Sequence, residues 1–175
     1  MAYLIKKPIV LIGMMGSGKS TIGKRLGYKL NLQFYDSDKI IEEREKLSVL
    51  DIFDFRGEEY FRKLEAVVIK EIINYGTVVI STGGESFKNS EIRDSIKQNA
   101  ISIWLKTDIE TLFERVSRRN TRPQLNGTNK MEVIERMVAE NYPIFEQADI
   151  IIESKNMEAH FVVDTIMSRL KTFEA

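Results

Sequence analysis

The chain has 175 residues, 43% of them hydrophobic, which suits one globular domain with a buried core and does not require a second domain. Lys and Arg number 26 and so do Asp and Glu, and this zero net charge excludes the basic surface that nucleic-acid binding needs. Cysteine is absent, which excludes disulfides and thiolate metal sites. Because no apolar stretch approaches the length of a membrane span, we expect a single soluble, cytoplasmic domain over residues 1–175.

Apolar runs and helical patterns alternate along the chain, and this alternation is typical of an α/β domain built on a parallel sheet. Five runs are predicted to be strands, and most of them are continuously apolar, as in strands that are buried on both faces. These predicted strands span residues 9–12, 33–35, 77–81, 101–105 and 150–152.

Helix starts are predicted between the strands from pairs of polar residues. Ser48 followed by Asp51 is typical of a helix start, and Thr107 with Glu110 predicts a capping box at the start of another helix. The longest helix is predicted over residues 57–75, where an apolar stripe repeats at helical spacing and a glycine follows.

Residues 13–20 read Gly-Met-Met-Gly-Ser-Gly-Lys-Ser and match the phosphate-binding loop G-x-x-x-x-G-K-[ST], between an apolar run and a helical pattern. Glycines let the backbone N–H groups surround a phosphate, Lys19 would reach the β and γ phosphates, and Ser20 would ligate Mg²⁺. A glycine-rich turn without a ligand is the alternative, but it does not explain the lysine and the hydroxyl at this spacing. The sequence therefore predicts ATP and Mg²⁺ as cofactors, with the nucleotide bound by Gly16, Ser17, Gly18, Lys19, Ser20 and Thr21.

Two carboxylates, Asp36 and Asp38, follow the short second strand at its carboxyl end, where ligands bind in open α/β sheets. One of them could position Mg²⁺ through its water shell, and the other could accept a hydroxyl proton. The alternative is a helix cap and a turn residue. Next to a phosphate-binding loop, we favour the catalytic interpretation.

An arginine and a pair of glycines are candidates for the acceptor side. Arg62 lies at the edge of the apolar stripe of the helix over residues 57–75, and its planar fork could bind a carboxylate. Glu65, three residues later, could orient Arg62 or could be its surface salt-bridge partner. Gly83 and Gly84 follow the third strand, where they would let the backbone approach a small ligand, and an ordinary loop is the alternative.

Residues 118–130 are polar and basic, and they are interrupted by proline and glycine. A solvated surface loop is one interpretation, since charged runs usually are solvated. In a chain with a phosphate-binding loop we favour a mobile lid at about residues 118–130, whose arginines close over the phosphates of ATP.

Together these motifs resemble the shikimate kinase family. The resemblance rests on the phosphate-binding loop, Asp-Ser-Asp at 36–38, Gly-Glu at 57–58, Phe-Arg-Lys-Leu-Glu at 61–65, Ser-Thr-Gly-Gly at 81–84 and Arg-Pro at 122–123. It covers residues 9 to about 152. It implies an α/β P-loop kinase fold, a three-layer sandwich whose five-stranded parallel sheet has the strand order 2-3-1-4-5. It also implies transfer of the ATP γ-phosphate to the 3-hydroxyl of shikimate, a step of aromatic amino acid biosynthesis.

The resemblance implies roles for the residues on the ATP side. Lys19 would stabilise the transferring phosphoryl group, Ser20 would bind Mg²⁺, and Asp36 would order the waters of the ion. Arg122 would close onto the phosphates from the lid and is expected to be catalytic. Stacking on adenine would come from one of two neighbouring arginines, Arg118 and Arg119.

On the acceptor side, the resemblance implies that Asp38 holds the acceptor hydroxyl and acts as the base. Arg62 would clamp the shikimate carboxylate, and Gly83 and Gly84 would contact the ring. Shikimate is thus the expected partner of a monomer that binds neither nucleic acid nor membranes.

Two positions depart from the family pattern, and both concern the acceptor. The family has three consecutive glycines where this chain reads Gly83-Gly84-Glu85. It also has an arginine, a second carboxylate clamp, where Asn141 stands, and we expect Asn141 to contact the acceptor in its place. If Glu85 points inward, the site loses one positive charge and gains one negative charge, and removing one partner of a buried charge pair costs about 2–5 kcal/mol. The substitutions predict a weakened affinity for shikimate.

Two further hypotheses remain open. The chain could be a related kinase of another small hydroxylated metabolite, such as a gluconate-like acid, because losing a cation favours a less anionic acceptor. It could also be a nucleotide-binding module that phosphorylates nothing, although such a module has no chemical need for a placed base at Asp38.

Overall fold

The computed structural model describes residues 5–118, 129–155 and 157–173. The strands are β1 (Ile9–Ile12), β2 (Phe34–Asp36), β3 (Val79–Ser81), β4 (Ile101–Lys106) and β5 (Ile150–Glu153). The helices are α1 (Lys19–Leu30), α2 (Ser37–Glu45), α3 (Val49–Arg56), α4 (Glu58–Ile73), α5 (Ser90–Asn99), α6 (Ile109–Ser117), α7 (Lys130–Phe145) and α8 (Ala159–Phe173). A 3₁₀ turn spans Ser86–Lys88. None of the helices in these described ranges is long and apolar enough to cross a membrane.

The five strands form one sheet in the order β2-β3-β1-β4-β5, and every neighbouring pair is parallel. This confirms the fold class and the strand order that the family resemblance implied. In the register of the sheet, Leu11 on β1 and Asp36 on β2 both pair with Ser81 on β3. The carboxyl ends of the three strands therefore meet at one edge of the sheet, where the phosphate-binding loop also begins.

Helices cover both faces of the sheet because the central strand is apolar on both sides. Val10 and Ile12 of β1 belong to a core that includes buried residues of α2 to α7. Ile9 and Leu11 belong to a second core, closed by apolar residues of α1 and α8. Successive side chains of a strand point to opposite faces, so a continuous apolar run at β1 gives the three-layer arrangement.

The helix starts were predicted with mixed success. The start of α3 is confirmed, because Ser48 and Asp51 form a capping box in which each side chain accepts from the backbone N–H of the other. The capping box of Thr107 and Glu110 was wrong. Asp108 caps α6 by accepting from the N–H of Thr111 at 3.0 Å, and the Thr107 hydroxyl instead bonds the hydroxyl of a neighbouring loop serine.

Candidate active site

The phosphate-binding loop connects β1 to α1 in a conformation that depends on its glycines. Gly18 immediately precedes α1 with a φ of 92°, a left-handed conformation that side chains disfavour. Gly18 makes no side-chain cap for α1, and the N-terminal end of a helix, where backbone N–H groups point outward, favours an anion in front of it. The buried Lys19 ammonium donates to the carbonyls of Gly13 and Met14 at 2.7 and 2.9 Å.

Ser20 and Asp36, the two residues predicted to hold Mg²⁺, are brought together. The Ser20 hydroxyl donates to Asp36 Oδ2 at 2.6 Å and lies 3.4 Å from the hydroxyl of Ser81. Asp36 Oδ1 accepts from the backbone N–H groups of Asp38 and Lys39, so Asp36 also caps α2. The catalytic and the capping interpretations of Asp36 are thus compatible, since each uses a different carboxylate oxygen.

The donor set at Ser20 and Asp36 fits Mg²⁺ that is shared with phosphate oxygens and water. Among the described residues, no group of three or more acidic, histidine or cysteine side chains could hold a metal by itself. Mg²⁺ usually keeps several waters and binds one or two protein oxygens together with substrate phosphates. One hydroxyl and one carboxylate beside the loop match that mode of binding.

A cleft of about 610 Å³ opens in front of the phosphate-binding loop. A volume of this size is typical of small-molecule sites. The six residues of the loop and of α1 that were predicted to bind the nucleotide line it: Gly16, Ser17, Gly18, Lys19, Ser20 and Thr21. The acidic residues Asp36 and Asp38 also line the cleft.

A second, much smaller pocket of about 20 Å³ adjoins the cleft. It is lined by four of the five residues predicted to bind the acceptor, Asp38, Arg62, Gly83 and Gly84, and by two glutamates, Glu65 and Glu85. Asp38 also lines the large cleft. The residue predicted to act as the base therefore lies between the two cavities.

Arg62 projects from α4 into the small pocket and is surrounded by carboxylates. Its guanidinium donates to Glu85 Oε2 at 2.7 Å, to Glu65 Oε2 at 3.2 Å and to Glu58 Oε1 at 3.2 and 3.3 Å. Burial lowers the pKa of Arg62, but the charges of Glu65 and Glu85, together with the hydrogen bonds to Glu65 and Glu58, hold the pKa above its ordinary value. Glu85 thus points inward.

Glu65 is a fully buried acid at the back of the pocket. It accepts hydrogen bonds from Ser86 Oγ and from Arg62. Burial raises the pKa of the Glu65 carboxyl, and the charge of Arg62 opposes that rise without cancelling it. Of the two roles that the sequence left open, the burial of Glu65 therefore favours orientation of Arg62 over a surface salt bridge.

Gly83 and Gly84 are required because other atoms lie too close to their backbone to leave room for a Cβ. A Cβ at Gly83 would lie 2.5 Å from Glu65 Oε1, 2.9 Å from Ser86 Oγ and 3.2 Å from Asp38 Oδ1. A Cβ at Gly84 would lie 2.9 Å from the backbone nitrogen of Met15. Only glycines let the chain after β3 pass between the phosphate-binding loop and the carboxylates.

Asn141 is not brought into either cavity. Its side chain is fully buried on α7, where Nδ2 donates to the carbonyl of Met137 at 2.7 Å and lies 3.8 Å from the sulfur of Met14. The short side chain bonds to the backbone of its own helix, and Asn141 lines neither the cleft nor the pocket.

The arginines near the predicted lid are only partly described. Arg122 and Arg119 lie outside the described residues, whereas Arg118 lines the large cleft and pairs with Glu114 at 2.5 Å. Sequence reasoning missed Arg115, which lines the same cleft and donates to the carbonyl of Gly16 at 3.2 Å. Its place in a helical pattern three residues before Arg118 was the available signal.

Comparisons with known proteins identify the family of this chain. The model of the family described as shikimate kinase matches residues 15–171. The chain is 41% identical over 172 residues to a shikimate kinase of Rhodopseudomonas palustris, covering 98% of this chain and 85% of that protein.

Solved structures give the same picture. The shikimate kinase from Acinetobacter baumannii, in complex with shikimate, has a TM-score of 0.94 and 30% identity and covers 98% of this chain and 96% of that one. A gluconokinase from Sinorhizobium meliloti has a TM-score of 0.60 and 16% identity, covers 95% of this chain and 92% of that one, and therefore shares only the fold. Because the family model spans most of the chain and a relative is 41% identical along nearly all of it, the chain belongs to the shikimate kinase family.

Proposed function

We propose that the protein transfers the γ-phosphate of ATP to the 3-hydroxyl of shikimate. The observation that carries the proposal is the position of Asp38, which lines both the cleft in front of the phosphate-binding loop and the pocket that contains Arg62. A phosphoryl acceptor in the pocket and a triphosphate in the cleft would meet at this carboxylate. Membership of the shikimate kinase family supports the choice of substrates.

On the ATP side, backbone N–H groups of the loop and of the first turn of α1 bind the phosphates. Lys19, now held by two loop carbonyls, is placed to exchange these bonds for contacts with the β and γ phosphates. Ser20 and Asp36 would hold Mg²⁺, which when bound neutralises charge on the phosphates. Arg122 would add positive charge from the lid, and Arg115 positions the loop through its bond to Gly16.

On the acceptor side, Arg62 binds the shikimate carboxylate, and the backbone at Gly83 lies against the ring. The Asp38 carboxylate accepts the proton of the 3-hydroxyl while the hydroxyl oxygen bonds to the γ-phosphorus. The bond from that phosphorus to the bridging oxygen breaks, and ADP leaves. Glu65 keeps the guanidinium of Arg62 in place without touching the reacting atoms.

The test is ADP release that depends on both ATP and shikimate, measured in the wild type and in Asp38→Asn. We expect turnover in the wild type and its near abolition in Asp38→Asn, while ATP binding measured by calorimetry persists. Asp94→Asn, which removes an exposed carboxylate from α5, is the matched control and is expected to keep wild-type activity. No turnover in the wild type at millimolar shikimate would refute the proposal, and tight ATP binding without turnover on any acceptor would favour a nucleotide-binding module.

A further inference from the structure

The guanidinium of Arg62 has almost no hydrogen-bonding capacity left for a substrate. An arginine side chain carries five N–H donors in a fixed fork. Glu58 takes one from Nε and one from Nη2, Glu85 takes the other from Nη2, and Glu65 takes one from Nη1. A carboxylate that binds two parallel N–H groups must therefore displace one of these glutamates.

Of the three glutamates, Glu85 is the one that lines the pocket without being fully buried. Glu65 is fully buried and is fixed by Ser86 as well as by Arg62. Glu58 has a side chain that is 64% exposed, and it does not line the pocket. Glu85 lines the pocket with a side chain that is 17% exposed, and its contact with Arg62 is the shortest of the three at 2.7 Å.

Space and charge in the pocket agree with this assignment. The free volume of about 20 Å³ is room for about one water molecule, so a substrate carboxylate does not fit against Arg62 while Glu85 keeps its present position. The charged residues that line the pocket are three carboxylates and one guanidinium. An anionic acceptor entering the pocket therefore meets repulsion as well as an occupied clamp.

We propose that Glu85 is a specificity-determining residue, which competes internally with the acceptor carboxylate for Arg62. Binding of shikimate displaces the Glu85 side chain from the guanidinium, and this exchange lowers the apparent affinity for the anionic acceptor. An uncharged derivative of the same ring, such as the methyl ester, gains nothing from Arg62 and leaves the Glu85–Arg62 pair intact. The enzyme consequently discriminates weakly between the acid and its ester. This inference rests on the proposed function, because it takes Arg62 as the carboxylate clamp.

The experiment compares shikimate and methyl shikimate as acceptors in the wild type, Glu85→Gln and Glu85→Ala. Glu85→Gln keeps the shape and removes the charge, and Glu85→Ala removes the carboxylate entirely. The backbone φ of −120° at residue 85 is accessible to any residue, so neither change strains the loop. The control is Glu59→Gln, which removes an exposed charge on the same helix as Arg62 that pairs with Lys63 instead.

We expect KM for shikimate to fall by about tenfold in both Glu85 variants, near the lower end for a partly exposed charge pair. KM for methyl shikimate and kcat should change by less than about threefold, and Glu59→Gln should match the wild type. An unchanged KM for shikimate in both variants, or an equal fall for acid and ester, would overturn the inference.

Calorimetric titration with shikimate separates this inference from the proposed function. Tighter binding of shikimate by Glu85→Gln than by the wild type supports the competition even if neither protein turns over. In that case the phosphoryl transfer proposed above would fail and the role of Glu85 would stand. Equal binding of shikimate by folded wild type and Glu85→Gln overturns the role of Glu85 whatever the turnover.

Discussion

Replacing Gly83 with alanine tests whether the backbone after β3 sets the geometry of the acceptor pocket. The added Cβ would lie 2.5 Å from Glu65 Oε1, and Ser86 and Asp38 also present oxygens within 3.2 Å. A carbon atom packs comfortably at about 3.5 Å, so the Glu65 carboxylate must retreat by about 1 Å. Glu65 is buried and holds both Ser86 and Arg62, so this retreat moves the clamp as well.

The expected magnitude follows from these contacts. Overpacking of a well-packed site costs about 1–3 kcal/mol of unfolding free energy. A misplacement of about 1 Å in a reacting site costs up to about a hundredfold in rate. We therefore expect kcat/KM for shikimate to fall by about tenfold to a hundredfold in Gly83→Ala, with ATP affinity unchanged because the phosphate-binding loop keeps its own contacts.

The assay is ADP release under variation of shikimate, together with urea unfolding and calorimetric ATP binding. Gly76→Ala is the matched control, because Gly76 has a φ of 100° and no described atom within 4 Å of the added Cβ. Gly76 precedes β3, whereas Gly83 follows it. The change at Gly76 costs about 1–2 kcal/mol of unfolding free energy through backbone strain alone. If Gly83→Ala keeps the kcat/KM of the wild type and loses no more stability than Gly76→Ala, the role of the close approach at Gly83 is refuted.

Three further changes test other parts of the site. Asp36→Asn keeps an oxygen that can cap α2, so the free energy of unfolding should stay within about 0.5 kcal/mol of the wild-type value. The Mg²⁺ concentration for half-maximal activity should rise. An unchanged Mg²⁺ requirement would contradict the metal site. Glu65→Gln tests the raised pKa of Glu65, which means that the folded protein favours the protonated carboxyl. As pH rises above about 4.3, the wild type should therefore lose unfolding free energy relative to the variant, by up to about 1.4 kcal/mol per pH unit. Urea unfolding of both proteins across this pH range measures the difference. If the wild type instead gained stability relative to Glu65→Gln as pH rises, the result would be inconsistent with a raised pKa. Asn141→Leu loses a hydrogen bond of about 0.5–1.5 kcal/mol but removes an oxygen that has no hydrogen-bond partner among the described residues, worth about 1–3 kcal/mol, so stability should hold or rise and shikimate kinetics should not change. A fall beyond about tenfold in kcat/KM would show that Asn141 does contact the acceptor.

The fold was predictable where the sequence carries a local physical signal. The apolar run of β1 matches its observed bounds because a strand buried on both faces needs apolar residues throughout. The strand order came from the family resemblance, since periodicity does not say which strands are neighbours. The start of α6 failed because Thr107 and Asp108 are both capable caps, and only the backbone path decides which side chain faces the N–H of Thr111.

The site was predictable in its residue types but not in their directions. Asp38 and Arg62 fall in motifs whose spacing fixes their place, just after β2 for Asp38 and on α4 for Arg62. The inward turn of Glu85 depends on the 3₁₀ turn after it and on Arg62, which is distant along the chain. Arg115 was missed because its partner is a backbone carbonyl: the sequence shows its helical spacing to Arg118 but not its contact with Gly16.

The place of β1 in the sheet has a consequence for synthesis on the ribosome. Ile9 of β1 pairs with Val79 of β3 and with Ile101 of β4, so the central strand has no neighbour until β3 has emerged and lacks its second neighbour until β4 has emerged. Contacts between residues so distant in sequence form late, because the intervening chain must be closed into loops first. The nucleotide site is therefore encoded at the start of the chain but assembled only after most of it has been translated. Nascent chains released before β4 are expected to lack ATP binding.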